Sequence, residues 1–147
     1  MTLEQADALI ATYLSSNWTA TPIAWENVDP RAFSMPGQPL LPDGTADYLQ
    51  VRSYEVSNRT VTIPAHCIRS HVQLQISVCV KAGSGVRKAK KHLSDLVNLL
   101  ENATIGASGS QIRFGTLIGS AGYFSDNGWY IRDAAFPFYF ERYVAQP

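Results

Sequence analysis

The chain has 147 residues, twelve basic and twelve acidic side chains, and a formal net charge of zero. This length fits one domain, residues 1–147, with a substantial core, and the charge balance excludes a dedicated nucleic-acid binder, whose footprint would be basic. No net charge holds copies apart, so self-association is open to it. Cys67 and Cys79, the two cysteines, are too few for a disulfide framework and point to a reducing environment. The N-terminal residues lack the basic and apolar segments of a signal peptide. No apolar run reaches the ~20 residues of a bilayer span, so no membrane partner is expected.

Thr2 and Gln5 have capping-box spacing, and Ala6, Leu9, Ile10, Tyr13 and Leu14 form a stripe behind them, predicting a helix over Leu3–Ser15. Thr21–Trp25 reads as a short edge strand. Asp29–Gly44 carries four prolines and is expected to be an extended surface loop; with its flank it defines a Pro-rich loop over 29–47. Tyr48–Val56 is strand-like, with a slip between Val51 and Tyr54 that suggests a bulge. Ser57–Thr60 has turn composition, and 57–70 reads as an extended loop or hairpin arm.

The clearest pattern follows. Val72, Leu74, Ile76, Val78 and Val80 alternate with Gln73, Gln75, Ser77 and Cys79, so one strand face is buried and the other faces water or a partner. After Ala82–Gly85, apolar residues recur at Val86, Ala89, Leu93, Leu96, Val97 and Leu100, an amphipathic helix. Gly106–Ser110 is a flexible connection. Ile112–Ile118 and Ala121–Phe124 read as strand pieces, Asp126–Gly128 as a turn, and Trp129–Val144 as a closing strand with Ala134, Phe136, Phe138 and Phe140 on one face. Pro137 is expected at an edge or bulge. The fold class is α+β: a mixed, mainly antiparallel sheet with two main helices packed on it.

No reactive centre emerges. Gly83–Gly85 has neither the Gly-Lys-Ser/Thr of a phosphate loop nor a third glycine at position 88, so Ser84 reads as a helix cap. His71 and Cys79 share a strand face but stand roughly 26 Å apart at ~3.3 Å per residue. Neighbouring His66 and Cys67 point oppositely, and no paired-ligand spacing supports a metal. No Gly-x-Ser-x-Gly elbow exists. Neither catalysis nor a cofactor is expected. Arg87, Lys88, Lys90, Lys91 and His92 crowd the start of the second helix, the end its dipole makes less favourable for positive charge. They read as a solvated face, with contact to an acidic partner or to DNA through Arg87, Lys88 and Lys91 as the alternative. Aromatics concentrate in the last quarter. If Phe136, Phe138 and Phe140 are core, then Trp129, Tyr139 and Tyr143 face elsewhere, as interface aromatics do.

Several pieces together resemble the tail terminator proteins of long-tailed bacteriophages, the minor tail protein U type. They are Thr21–Asn27, the Pro-rich loop, Tyr48–Val51, the alternating strand, turn and helix, Gly122–Phe124, Asp126–Trp129, and the aromatic strand ending Phe140–Tyr143. The resemblance spans nearly the whole chain. It implies a virion protein, assembled in the host cytoplasm, that forms a homo-oligomeric ring, usually of six copies. The ring caps the tail tube protein, stops its polymerisation and presents a surface to the head–tail connector or neck. DNA would pass through without sequence-specific binding, and no cofactor would be used. On that reading Asn58, Arg59, His71, Gln73 and Gln75, with Trp129, Tyr139 and Tyr143, are candidate subunit or tube contacts, and Trp129→Ala should weaken assembly more than folding. The alternatives are another neck protein of the same architecture, or a small-ligand-binding or enzymatic α+β domain with its pocket under the Pro-rich loop.

Overall fold

A computed structural model describes residues 1–25, 47–60, 67–81, 83, 86–124 and 128–143. The Pro-rich loop, Val61–Ile63, His66, Ser84, Asp126 and Asn127 therefore lie outside the described residues, and the expectations for them stand as made.

The elements in chain order are α1 (Leu3–Asn17), β1 (Ile23–Ala24), β2 (Tyr48–Thr60), β3 (Cys67–Lys81), α2 (Val86–Leu100), β4 (Thr104–Ile105), β5 (Ile112–Phe114), β6 (Gly119–Phe124) and β7 (Trp129–Tyr143). The strands form one sheet in the order β1-β2-β3-β7-β5-β4, and β6 also pairs with β7. Only β1 runs parallel to its neighbour; every other pairing is antiparallel. The class is α+β, as expected.

Local chemistry sets the helices. Thr2 Oγ1 accepts from the Gln5 amide at 3.2 Å and Gln5 Oε1 accepts from the Thr2 amide at 2.9 Å, satisfying two donors at the start of α1. Ala6, Ile10 and Leu14 are its buried stripe. In α2 the buried stripe is Ala89, His92, Leu93, Leu96 and Leu100, so His92 belongs to the interior and not to the solvated basic face. The Tyr13 hydroxyl donates to the Leu99 carbonyl at 3.0 Å, tying the two helices together. Both pack on one face of the sheet, against Val72, Leu74, Ile76, Val78, Val80, Ala134, Phe136, Phe138 and Phe140.

The strands run further than composition suggested. Ser57–Thr60 is not a turn: it continues β2, with Thr60 opposite Ile68, and β3 begins at Cys67. Cross-strand pairing overrides the turn preference of these polar residues, because Ser57 and Asn58 are exposed and cost nothing in the ladder. The register shift lies between Glu55 and Ser57, later than the apparent slip at Val51–Tyr54. That slip was Ser53 standing on the helix side, where its hydroxyl donates to Asp7 Oδ1 at 3.1 Å.

Pro137 sits in a central strand, not at an edge or bulge, opposite Gln73 in an unbroken ladder. Its carbonyl accepts from the Gly115 amide at 2.9 Å, so its backbone polar groups turn away from β3. They face the seam between β5, which ends at Phe114, and β6, which starts at Gly119. The missing N–H therefore breaks no bond to β3. The expected single strand over Ile112–Ile118 is split at the same seam. Gly122 has a separate reason: a Cβ there would stand 2.0 Å from the Tyr130 hydroxyl, which crosses β6 at that point.

Candidate interface surfaces

With both helices on one side, the second face of the sheet is left to its own side chains. The register puts Ala24, Gln50, Ser77, Asp133 and Ala121 in one row across five strands. Neighbouring rows hold Arg52, Gln75, Ala135 and Gly119, then His71, Tyr139 and Arg113. Apart from one end, this face is polar or small.

That apolar end is a separate small cluster of Ala24, Tyr48, Cys79 and Trp129, with Ile131 against it. The Tyr48 and Trp129 rings meet edge-on at 5.2 Å. Burial pushes the Cys79 thiol up to about 12 and raises Tyr48, helped by the neighbouring thiol. Cys79 is thus a neutral packing group, not a nucleophile. In the middle of the face, Asp133 accepts from Ser77 Oγ at 2.5 Å. Burial, and then the Asp133 carboxylate that its hydroxyl bonds, raise Tyr123. At the far end Arg69 pairs with Glu141 at 2.7 Å and lies over the Tyr139 ring, 4.4 Å from its centre. His71 leans on the same ring at 5.9 Å. Hydrogen bonding from Arg69 holds the Glu141 carboxyl below the usual range.

The residues singled out from sequence separate into different places. His71, Gln73, Gln75 and Tyr139 share the uncovered face and are half-buried. Trp129 lies on that side too but is only 7% exposed and packed within its own chain; its surplus in the aromatic count came from overlooking Tyr48 as a partner. Asn58 is on the helix side, accepting from the buried Ser70 hydroxyl at 2.6 Å. Arg59 and Tyr143 hold register positions opposite Arg69 and Cys67. Arg87, Lys88 and Lys91 are exposed on α2, across the sheet from the Gln73–Gln75 face, so the two sets cannot form one surface. Lys88 Nζ is also committed to Asp47, 2.8 Å away. His92 approaches the same carboxylate at 3.5 Å, and its ring packs edge-on to Trp18. Its i, i+3, i+4, i+7 spacing with Ala89, Leu96 and Leu93 could have marked it as interior.

Sequence reading also passed over β6. Every residue from Gly119 to Phe124 is exposed. Ile118 (64%), Tyr123 (47%) and Phe124 (67%) are the most exposed large apolar side chains among the described residues. The stretch Phe114–Phe124 carries no charge, so an apolar edge strand without the usual protecting lysine was legible there.

A family model described as phage tail terminator protein matches residues 5–132. The chain belongs to the phage tail terminator family. This is a structural family of phage tails, and the terminator's uncovered sheet face and exposed edge are surfaces for assembly, with no reactive centre among the described residues. One solved structure matches at 18% identity and TM-score 0.65, covering 100% of this chain and 99% of its own. A chain from the virion of a native gene transfer agent particle matches at 16% identity and TM-score 0.58, covering 93% and 87%. At these identities the likeness is one of fold. No curated protein matches the sequence.

Among the described residues no helix is long and apolar enough to cross a membrane, and no group of three His, Cys, Asp or Glu is placed to hold a metal ion.

Proposed function

We propose that this terminator closes into a homo-oligomeric ring, six copies in the reading we favour. The ring sits on the head-proximal end of the tail tube, halts tube polymerisation and offers the surface on which the head–tail connector docks. The observation that carries the reading is the one-sided sheet in a chain that matches the terminator family over residues 5–132. Helices cover one face, and the other is a broad polar surface with no catalytic grouping. In a ring, that polar face lines the channel, where Gln73, Gln75 and Ser77 pass DNA without reading its bases, and the helices lie outside. Such closure requires two different faces per subunit, one meeting the other around the rotation. A formal charge of zero lets like copies approach without accumulating repulsion.

Electron microscopy of the purified chain, alone and mixed with isolated tail tubes, tests this. Rings with a central hole, seated on one tube end and blocking further growth, are expected. Binding to filled heads but never to tubes would move the assignment to another neck protein.

A further inference from the structure

We propose that neighbouring copies join by β6 of one subunit adding to the outer edge of β2 in the next. In this joint Phe124 seats in the groove between α1 and that edge. The inference rests on the ring reading above and specifies its joint.

Two features at opposite edges of the sheet carry it. At one edge, β6 is held only by β7, on one side, and its residues are uncharged and exposed. Its outer backbone donors and acceptors are a template for another strand. Phe124 stands opposite Tyr130, a helix-side core residue, so it projects on the helix side of the sheet. At the other edge, β1 pairs with β2 only at Leu49 and Gln50. From Arg52 to Ser57 no described strand lies on the outer side of β2. Beside this edge, again on the helix side, is a groove of about 380 Å³ whose walls include Ala8, Ile10, Ala11, Trp25 and Leu74. An apolar knob and an apolar groove thus occupy the same side of the sheet at its two opposite edges. That is the arrangement a head-to-tail contact needs and a two-fold contact does not.

Strand direction agrees. β2 is antiparallel to β3, β3 to β7, and β7 to β6, so β6 runs opposite to β2. A rotation that sets copies side by side preserves these directions, and β6 of one copy meets β2 of the next antiparallel, the commoner and better-bonded pairing. Charge agrees as well. Arg132 lies beside β6 on the helix side, donating to Ser120 Oγ at 3.1 Å, and the groove carries Asp7. A guanidinium therefore approaches a carboxylate that retains acceptor capacity beyond its bond from Ser53. The second copy is the occupant that supplies all of these at once.

The test uses two full-length variants, Phe124→Lys, which spoils the knob, and Ala8→Trp, which fills the groove. Both positions are exposed, so thermal melting should stay near that of the wild type. Assembly is read by light scattering, by cross-linking and on isolated tail tubes. Each variant alone is expected to remain monomeric where the wild type forms rings. The equimolar mixture should cross-link to a 1:1 mixed dimer and nothing larger, because it retains one good joint per pair. Rings that survive either substitution, or a mixture that traps no mixed dimer, would overturn the joint while leaving the terminator ring standing. A wild-type chain that neither assembles nor caps tubes would remove the ring itself, and the joint with it.

Discussion

The two faces of the sheet share every backbone strand and differ in what takes the place of water. On the helix side, Phe136, Phe138 and Phe140 alternate down β7 and are at most 2% exposed, each meeting aliphatic residues of β3 and of two helices. On the other side the alternate residues of β7 meet polar neighbours: Asp133 takes a hydroxyl from Ser77, and Tyr139 lies between Arg69 and His71. The first arrangement is apolar burial, which accounts for most of a fold's stability. The second is a set of satisfied polar contacts that contribute little to folding and leave a surface able to meet other molecules. The same strands hold the subunit together with one face and leave the other free for assembly.

Substitutions can test how sharp that division is. Phe136→Ala empties a site that is 0% exposed and should cost about 3–5 kcal/mol, read as a large drop in the urea midpoint. A drop well below that would mean the helix layer relaxes into the space. Trp129→Ala is the informative exception on the second face. Because the ring is packed against Tyr48 in a small cluster, we expect a loss of monomer stability of about 3 kcal/mol, contrary to the sequence-based expectation of an assembly defect alone. Unchanged monomer unfolding with lost assembly would instead extend the interaction face to this end of the sheet.

Arg69→Ala should have the smallest effect, about 0.2–1 kcal/mol near neutral pH, since the two side chains of its pair with Glu141 are 30% and 36% exposed and solvent screens them. Its sign with pH is fixed. The folded Glu141 carboxyl is depressed, so the pair stabilises above the unfolded-state value of about 4.3 and loses that stabilisation as pH falls through the lowered folded one. The difference between wild type and variant in thermal melting should therefore shrink on acidification below about pH 4. A gap that persisted there would assign the effect to Arg69 packing over Tyr139 instead of to its charge.

The sequence by itself determined the parts in which a local period and a local signal agree. Alternation from Val72 to Val80, the aromatic alternation of β7, the capping box of α1 and the stripe of α2 each specify an element and its buried side, since side-chain direction follows directly from backbone period. Only the tertiary structure decided where polar and ambiguous residues went. Ser57–Thr60 became strand because β3 was there to pair with it, and Pro137 stayed central because its bare nitrogen faces a seam between two short strands. His92 turned inward beside Trp18 and Asp47, while Trp129 found Tyr48. The exposed edge at β6 exists because β5 and β6 divide one side of β7 between them. Each of these outcomes depends on contacts between segments distant in the chain, and no local pattern encodes which distant partner will be present.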